Sequence, residues 1–305
     1  MITIEVDKLN KSYSGIKAIE DISFTINENE LFGFIGPDGA GKTTIFRILT
    51  TLLIPDSGWA IIKGYDTVKD FKKLRQILGY MPGRFSLYQD LSVEENLTFF
   101  ATIFGTTLEE NYELIKDIYS HIEPFKNRIA GKLSGGMKQK LALSCALIHK
   151  PEVLILDEPT TGVDAVSRKE FWQMLKGLQQ KGITIVVSTP YMDEASLCDR
   201  VALIQKGQIM AIETPQNIIK LFGKPLYSIH GNNLYSLKND ILYFGQCENA
   251  YLFGQNIHYS GKGIVNQDEL YDYLLKKGHT NVEIKQIEPG IEDCFMKSMA
   301  GEEEN

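Results

Sequence analysis

Residues 31–50 read LFGFIGPDGAGKTTIFRILT. Five apolar residues, LFGFI (31–35), stop at a glycine-rich turn, GPDGAGKT (36–43), and a helix-like run, TTIFRILTTL, follows. A short apolar run closed by glycine and proline predicts a buried strand. The turn fits G-x-x-x-x-G-K-[ST], and each position has a chemical reason. Gly36, Gly39 and Gly41 permit backbone conformations that a side chain forbids, so their N–H groups can point inward. The N-terminus of the next helix adds partial positive charge facing an anion. Lys42 is placed to reach β- and γ-phosphates, and Thr43 offers a hydroxyl to Mg2+. Pro37, Asp38 and Ala40 lie between these residues and Thr44 follows them, so 36–44 is read as one phosphate cradle.

Working outward, VLILDEPT (153–160) places Asp157 and Glu158 at the end of a second buried strand. In a parallel sheet ligands gather at strand C-termini, where the cradle also sits. Asp157 is expected to hold Mg2+ through water, and Glu158 to polarise an attacking water. An acidic dipeptide alone reads better as the start of a solvated loop; beside the cradle it does not. ITIVV (183–187) is another apolar run. Such strands separated by helices predict an α/β fold with a largely parallel sheet covered on both faces. ITIEV (2–6) and ISFTI (22–26) alternate like strands. The helix FWQMLKGLQQ carries Phe171, Trp172, Leu175 and Leu178 on one face and stops near Gly182.

Between about 84 and 150 no strand-like run appears. VEENLTFFATIF, LEENYELIKDIY and MKQKLALSCALI read as helices of an insert within the α/β core. After Pro215 the pattern changes. LYSIHG, NDILYFG and YLFGQNIHYS read as strands, and NQDELYDYLLKKG as a helix capped by Asn266 with Glu269 three residues on. Residues 1–218 are expected to form one domain and 219–305 a small α+β accessory domain, ending in an acidic tail, GEEEN.

The chain has 305 residues, 43% of them hydrophobic, and a net charge of −7. That balance gives no broad basic surface for nucleic acid. The four cysteines, Cys145, Cys198, Cys247 and Cys294, show no CxxC pairing and read as reduced thiols. MITIEVDKLNK meets acids early and lacks the apolar core of a signal peptide. No apolar run approaches the ~18 residues of a membrane span, so a membrane role would work through a partner.

LSGGMKQ (133–139) opens the third insert helix: Ser134 can cap it, and Gly135 and Gly136 let backbone amides approach a phosphate. By itself this is a capped helix after a glycine turn. Lying between the phosphate cradle and the Asp-Glu strand, it makes residues 1–215 resemble the ATP-binding cassette (ABC) ATPases, P-loop NTPases with an antiparallel β subdomain and a helical insert. The resemblance implies ATP and Mg2+ as cofactors, Tyr13 of KSYSG stacking on adenine, and Asp164 of TTGVD communicating between two ATP sites. It also implies two cassettes packed head to tail. Ser134, Gly135 and Gly136 would then complete a site on the partner's cradle.

Two positions depart from the family pattern. Gly83, in YMPGRF, stands where a glutamine contacts Mg2+ and the attacking water; Gln89 comes six residues later and is a poor substitute. Pro190, in VVSTPYMDEA (186–195), stands where a histidine touches the γ-phosphate, and proline can neither donate a hydrogen bond nor carry charge. The chain's own site is therefore expected to bind ATP and hydrolyse it slowly, in a heterodimer with an intact cassette rather than a homodimer. The ending IEPGIEDCFMKSM, with Pro289, Glu292, Asp293 and Phe295, resembles export cassettes of the ABC-2 group, with Ile291 in place of leucine. The resemblance thus implies an exporter's ATPase at the cytoplasmic face of the membrane, held by integral membrane permease subunits. A groove with Phe85, Leu87, Tyr88, Phe99 and Phe100 would receive one of their helices. An ATP-dependent clamp without useful hydrolysis is the second reading, and a cassette acting on nucleic acid or ribosomes the third.

Overall fold

The computed structural model describes residues 1–263 and 265–302; residues 303–305 of the acidic tail lie outside the described residues. The chain divides into two compact units, Met1–Pro215 and Gln216–Asn305.

A six-stranded sheet organises the first unit, in the order Gln208–Glu213, Arg200–Gln205, Leu31–Ile35, Thr184–Thr189, Val153–Asp157, Leu78–Met81. Its pairs are parallel except the one between Arg200–Gln205 and Gln208–Glu213. Leu31–Ile35, Val153–Asp157 and Thr184–Thr189 are buried at every position. This is why they read as unbroken apolar runs rather than alternating ones. The register sets up the site. Ile35 lies opposite Thr189, Asp157 opposite Ser188 and Met81 opposite Leu156. Four strands thus finish nearly level at one edge, and the residues just beyond them, Gly36, Pro190, Glu158 and Gly83, share it.

A second, antiparallel sheet is built from Ile16–Asn27, Ile2–Tyr13, Ser57–Ile62 and Tyr65–Asp66. Its inward residues Ile4, Val6, Ile22, Phe24 and Ile26 share one core with Phe32, Phe34 and Phe46. Phe24 meets Phe34 edge-on at 5.1 Å, and Phe34 meets Phe46 at 5.6 Å, a favoured aromatic geometry. Phe46, with Ile45, Ile48 and Leu49, belongs to the helix Lys42–Leu49. Each such buried side chain contributes about 1.5–3 kcal/mol, so packing behind the helix fixes the loop in front of it.

The insert contains the helices Val93–Ile103, Leu108–Tyr119 and Gly135–Leu147. The first two begin with reciprocal caps, Ser92 with Glu95 and Thr107 with Glu110, which satisfy helix-end N–H groups that would otherwise lack partners. The helix Ala165–Gln180 buries Phe171, Trp172, Leu175 and Leu178.

In the second unit the antiparallel strands Cys247–Phe253, Asn256–Gly261, Leu226–His230 and Glu283–Ile287 form a sheet in that order. One reading from the sequence is corrected here: NDILYFG is not a strand. Its first half ends the helix Leu234–Leu242, whose cap Asn233 accepts from Ser236 N–H at 3.1 Å. Leu237 and Ile241, four apart, point inward, while Tyr243 is 83% exposed. A short apolar run fits either period, and the cap decided between them. Asn266 does cap Gln267–Lys276, accepting from the N–H groups of Asp268 and Glu269. The Glu269 carboxylate accepts from Gln246 Nε2 at 3.3 Å.

Asp293 is the polar centre of this unit. It is 2% exposed. Its Oδ1 accepts from Tyr251 Oη and His258 Nδ1, both at 2.6 Å, and its Oδ2 from Gly290 N–H at 2.5 Å. Burial pushes the Asp293 carboxyl up, but these three donors outweigh it and hold it below the usual carboxylate range. Removing the acceptor strands buried donors, so Asp293→Ala is expected to cost about 3–5 kcal/mol. Faster amide exchange in Leu226–His230 and Asn256–Gly261 would register the loss. Because the folded value is depressed, the stabilisation is full above the ordinary aspartate value of about 3.9 and is lost as pH falls below it through the folded value. Tyr251→Phe removes one of these donors and raises the folded value, so acid unfolding of the full chain should begin at higher pH in that variant than in the wild type.

Candidate nucleotide site

The cradle follows directly from the strand Leu31–Ile35. Gly39 and Gly41 have φ of 78° and 104°, the left-handed region that suits glycine. At Gly36 the constraint is space: a Cβ would lie 2.1 Å from the Ile204 carbonyl oxygen. Gly36→Ala must therefore displace backbone, with an expected cost of about 1–3 kcal/mol; thermal unfolding together with nucleotide affinity would show both losses. Pro37, Asp38 and Gly39 form the exposed lip, and Ala40 is buried beneath it. Gly41 precedes the helix Lys42–Leu49 without a side-chain cap, so the first amides there are not taken by a capping side chain. Thr43 and Thr44 are half-buried in its first turn.

Lys42 is only 3% exposed. Its ammonium donates to the carbonyls of Gly36 at 2.8 Å and Pro37 at 3.0 Å, and lies 3.3 Å from Glu158 Oε1. The loop's own carbonyls thus curl it over the cradle, and the catalytic candidate faces it. Asp157 is buried and accepts from Ser188 Oγ at 2.7 Å. Glu158 has φ of 49°, a conformation that costs a non-glycine residue about 1–2 kcal/mol. Its N–H is held by Ser188 through both the carbonyl, at 3.1 Å, and the hydroxyl, at 3.0 Å. Ser188 is the site residue that motif reading missed. Little in the sequence signalled it, since Ser188 is one of three hydroxyl residues in the strand Thr184–Thr189. Strain held in place by such bonds is common where a side chain must be aimed. Tyr80, in the neighbouring strand, is pushed up to about 12 by burial and then by the charge of Asp157, so it stays a neutral phenol.

Gly83 lies beside this pair. A Cβ there would sit 3.1 Å from the Asp157 carbonyl oxygen and 3.8 Å from Glu158 Cβ. Gln89 is exposed, and its backbone carbonyl accepts from Gly131 N–H at 2.9 Å within the insert. Pro190 is half-buried directly after Thr189.

A second cluster contains the signature. Ser134 caps Gly135–Leu147 and accepts from Met137 N–H at 3.3 Å. Ser134 and Gly135 are exposed. A Cβ at Gly135 would meet the Gly162 carbonyl at 3.3 Å, and one at Gly136 the Ser167 hydroxyl at 2.8 Å. The signature therefore lies against the loop of Asp164, which caps Ala165–Gln180 by accepting from Val166 and Ser167 N–H groups. Ser167 holds the Asp164 carboxyl below the usual range. Tyr13 ends its strand at the hairpin Ser14–Gly15 and is 43% exposed.

A groove of about 480 Å3 runs beside the insert, lined by Phe85, Leu87, Phe100, Ile103, Phe104 and His149 among others. Tyr88 and Phe99, expected in the same wall, pack edge-on against each other at 4.7 Å outside its lining. All four cysteines are buried, and burial raises every thiol. Among the described residues no helix is long and apolar enough to cross a membrane.

The family description "ABC transporter" matches residues 19–161. The "Nod factor export ATP-binding protein I" of Sinorhizobium fredii is 32% identical over 97% of this chain and 85% of its own length. The chain belongs to the ATP-binding cassette transporter family. A further relative, "Probable multidrug ABC transporter ATP-binding protein YbhF" of Escherichia coli, is 37% identical over 98% of this chain. This chain spans about half of that relative's length, 52%. A solved cassette described as a dimeric post-hydrolysis state bound to ADP and Pi superposes with a TM-score of 0.63, at 26% identity, over 69% of this chain and 98% of that one. The ABC fold expected from the sequence is the fold observed.

Proposed function

We propose that the chain is the ATP-binding subunit of an exporter, using MgATP at a head-to-tail cassette interface to drive separate membrane permease subunits from the cytoplasmic face. The convergence of Lys42, Asp157 and Glu158 on the cradle of 36–44 carries this reading. The backbone amides and Lys42 would take the phosphates. Thr43 and Asp157 would hold Mg2+, a cation that keeps most of its waters and takes one or two protein oxygens besides phosphate. When bound, Mg2+ neutralises charge on the β- and γ-phosphates. Glu158, fixed by Ser188, orients and polarises water. Tyr13 offers its exposed ring to adenine. Residues 1–218 would form the nucleotide-binding domain and 219–305 an accessory domain.

Exposed Ser134, Gly135 and Asp164, with half-buried Gly136 beside them, suit a surface that completes a partner's site. The solved dimer with ADP and Pi supports pairing in this family, and the relatives named for Nod factor export and multidrug transport support export. The groove by Phe100 and Phe104 suits an apolar helix of a permease subunit. With Gly83 and Pro190 in place of two γ-phosphate contacts, the chain's own site turns over slowly, and a heterodimer with an intact cassette is favoured over a homodimer. A clamp without useful hydrolysis is the second reading, favoured by the same two residues. Steady-state ATPase of the purified chain separates them. Activity abolished by Glu158→Gln supports a working site; ATP binding with no activity supports the clamp. Ser134→Ala is expected to weaken its helix by about 1 kcal/mol and to slow the partner's hydrolysis in a mixed dimer while leaving this chain's ATP affinity unchanged, measured with each cradle disabled in turn.

A further inference from the structure

The strand that carries Tyr13 parts from one of its neighbours before the tyrosine is reached. The pairing of Ile2–Tyr13 with Ser57–Ile62 ends at Asn10, opposite Ser57. Lys11, Ser12 and Tyr13 stay paired with the returning strand Ile16–Asn27, and the register shifts on both sides of Lys11. Irregular pairing of this kind bends a strand and disrupts its ladder. Asp56, the residue just before Ser57–Ile62, holds this end instead. Its N–H donates to the Asn10 carbonyl at 2.9 Å. Its Oδ2 accepts from Ser12 N–H at 2.7 Å and its Oδ1 from Lys11 Nζ at 2.6 Å. One carboxylate thus takes both residues directly before Tyr13, one by its backbone and one by its side chain. Lys11, and then Ser12 N–H, hold the Asp56 carboxyl below the usual carboxylate range, so both bonds are charge-assisted at neutral pH.

The base of the same hairpin is tied to the phosphate cradle. Gly207 N–H donates to the Ala40 carbonyl at 3.0 Å, and Glu20 N–H donates to the Gly207 carbonyl at 2.8 Å. A Cβ on Gly41 would lie 2.6 Å from the Ala18 carbonyl oxygen and 2.8 Å from Ile19 Cγ2. Ile19 is the register partner of Lys11. The hairpin therefore stands against the cradle at its base, and Asp56 holds it near its tip.

We propose that Asp56 is a positioning residue for nucleotide recognition: by bracing Lys11 and Ser12 it sets where the Tyr13 ring stands relative to the cradle. The proposal rests on Tyr13 stacking on adenine. Asp56 acts through Tyr13, so its effect falls on the base and not on the phosphates. An aromatic face held in place beforehand loses less freedom when a base stacks on it. The Asp56 side chain is 46% exposed, and exposed ion pairs add little to stability. Its removal therefore leaves the chain folded and frees the ring.

The test needs no ATP hydrolysis. Titration calorimetry of the full chain gives dissociation constants for ATP and for inorganic tripolyphosphate, which carries the phosphates without the base. The readout is the ratio of the two, because a general change in charge or in the cradle moves both together. Tyr13→Ala is expected to raise the ratio of ATP to tripolyphosphate constants by about tenfold, the usual size of one lost base–aromatic stack. Asp56→Ala should raise it by about threefold or more, a part of the same loss, and should add nothing in the Tyr13→Ala background. Asp56→Asn keeps an acceptor for Ser12 N–H and should stay nearer the wild-type ratio. If Tyr13→Ala raises the ratio and Asp56→Ala does not, the proposal is overturned while the reading of Tyr13 stands. An unchanged ratio in Tyr13→Ala overturns both. An Asp56→Ala effect that persists in full without Tyr13 overturns the proposal as well, since the residue then acts by another route.

Discussion

Glu158→Gln is expected to lower single-turnover ATP hydrolysis at this chain's own cradle by about 10²–10³-fold, the usual effect of losing one preorganised polar contact to a transition state. ATP binding should persist, because the cradle amides and Lys42 are untouched. The structure makes the substitution a clean probe. The Glu158 backbone is held by Ser188, not by its own carboxylate, so glutamine inherits the position and loses the charge. The ion pair with Lys42 at 3.3 Å is lost too, but the lysine keeps its two carbonyl partners. Rapid-quench measurement with excess chain over ATP reads the chemical step directly. An unchanged rate would show that Glu158 does not polarise the water.

The double substitution Gly83→Gln, Pro190→His should act in the opposite direction, raising turnover by about 10²-fold or more. The effects of the two singles need not multiply, since both groups face one phosphate. Both positions lie just past strands that finish level with the cradle, and the Gly83 backbone is already against Asp157 and Glu158. A glutamine there begins beside the carboxylates; its Cβ, 3.1 Å from the Asp157 carbonyl, requires a shift of a few tenths of an ångström. Adding Glu158→Gln to the restored chain should abolish the gain. A restored chain no faster than wild type would sink the idea that these two residues make the site slow.

Particular residues show why some features were legible in advance. LFGFI, VLIL and ITIVV were readable as buried strands because a parallel sheet covered on both faces forces continuous apolar composition. GPDGAGKT and LSGGMKQ were readable because close phosphate approach restricts the backbone to glycine at fixed spacing. The strand Leu78–Met81 was not legible: four residues are too few to show a period, and tertiary pairing with Val153–Asp157 defines it. NDILYFG failed for a related reason, since its helix depends on a cap six residues upstream.

The sequence by itself determined the fold class, the cradle, the carboxylate pair and the two departures at Gly83 and Pro190, because each depends on the chemistry of a local stretch. Only the tertiary structure decided which of these residues meet. Strand register aligned Gly36, Gly83, Glu158 and Pro190 at one edge; Ser188 fixed a strained Glu158; and Asp293 joined Tyr251 to His258. These are contacts between residues distant in the chain, and no local pattern encodes them.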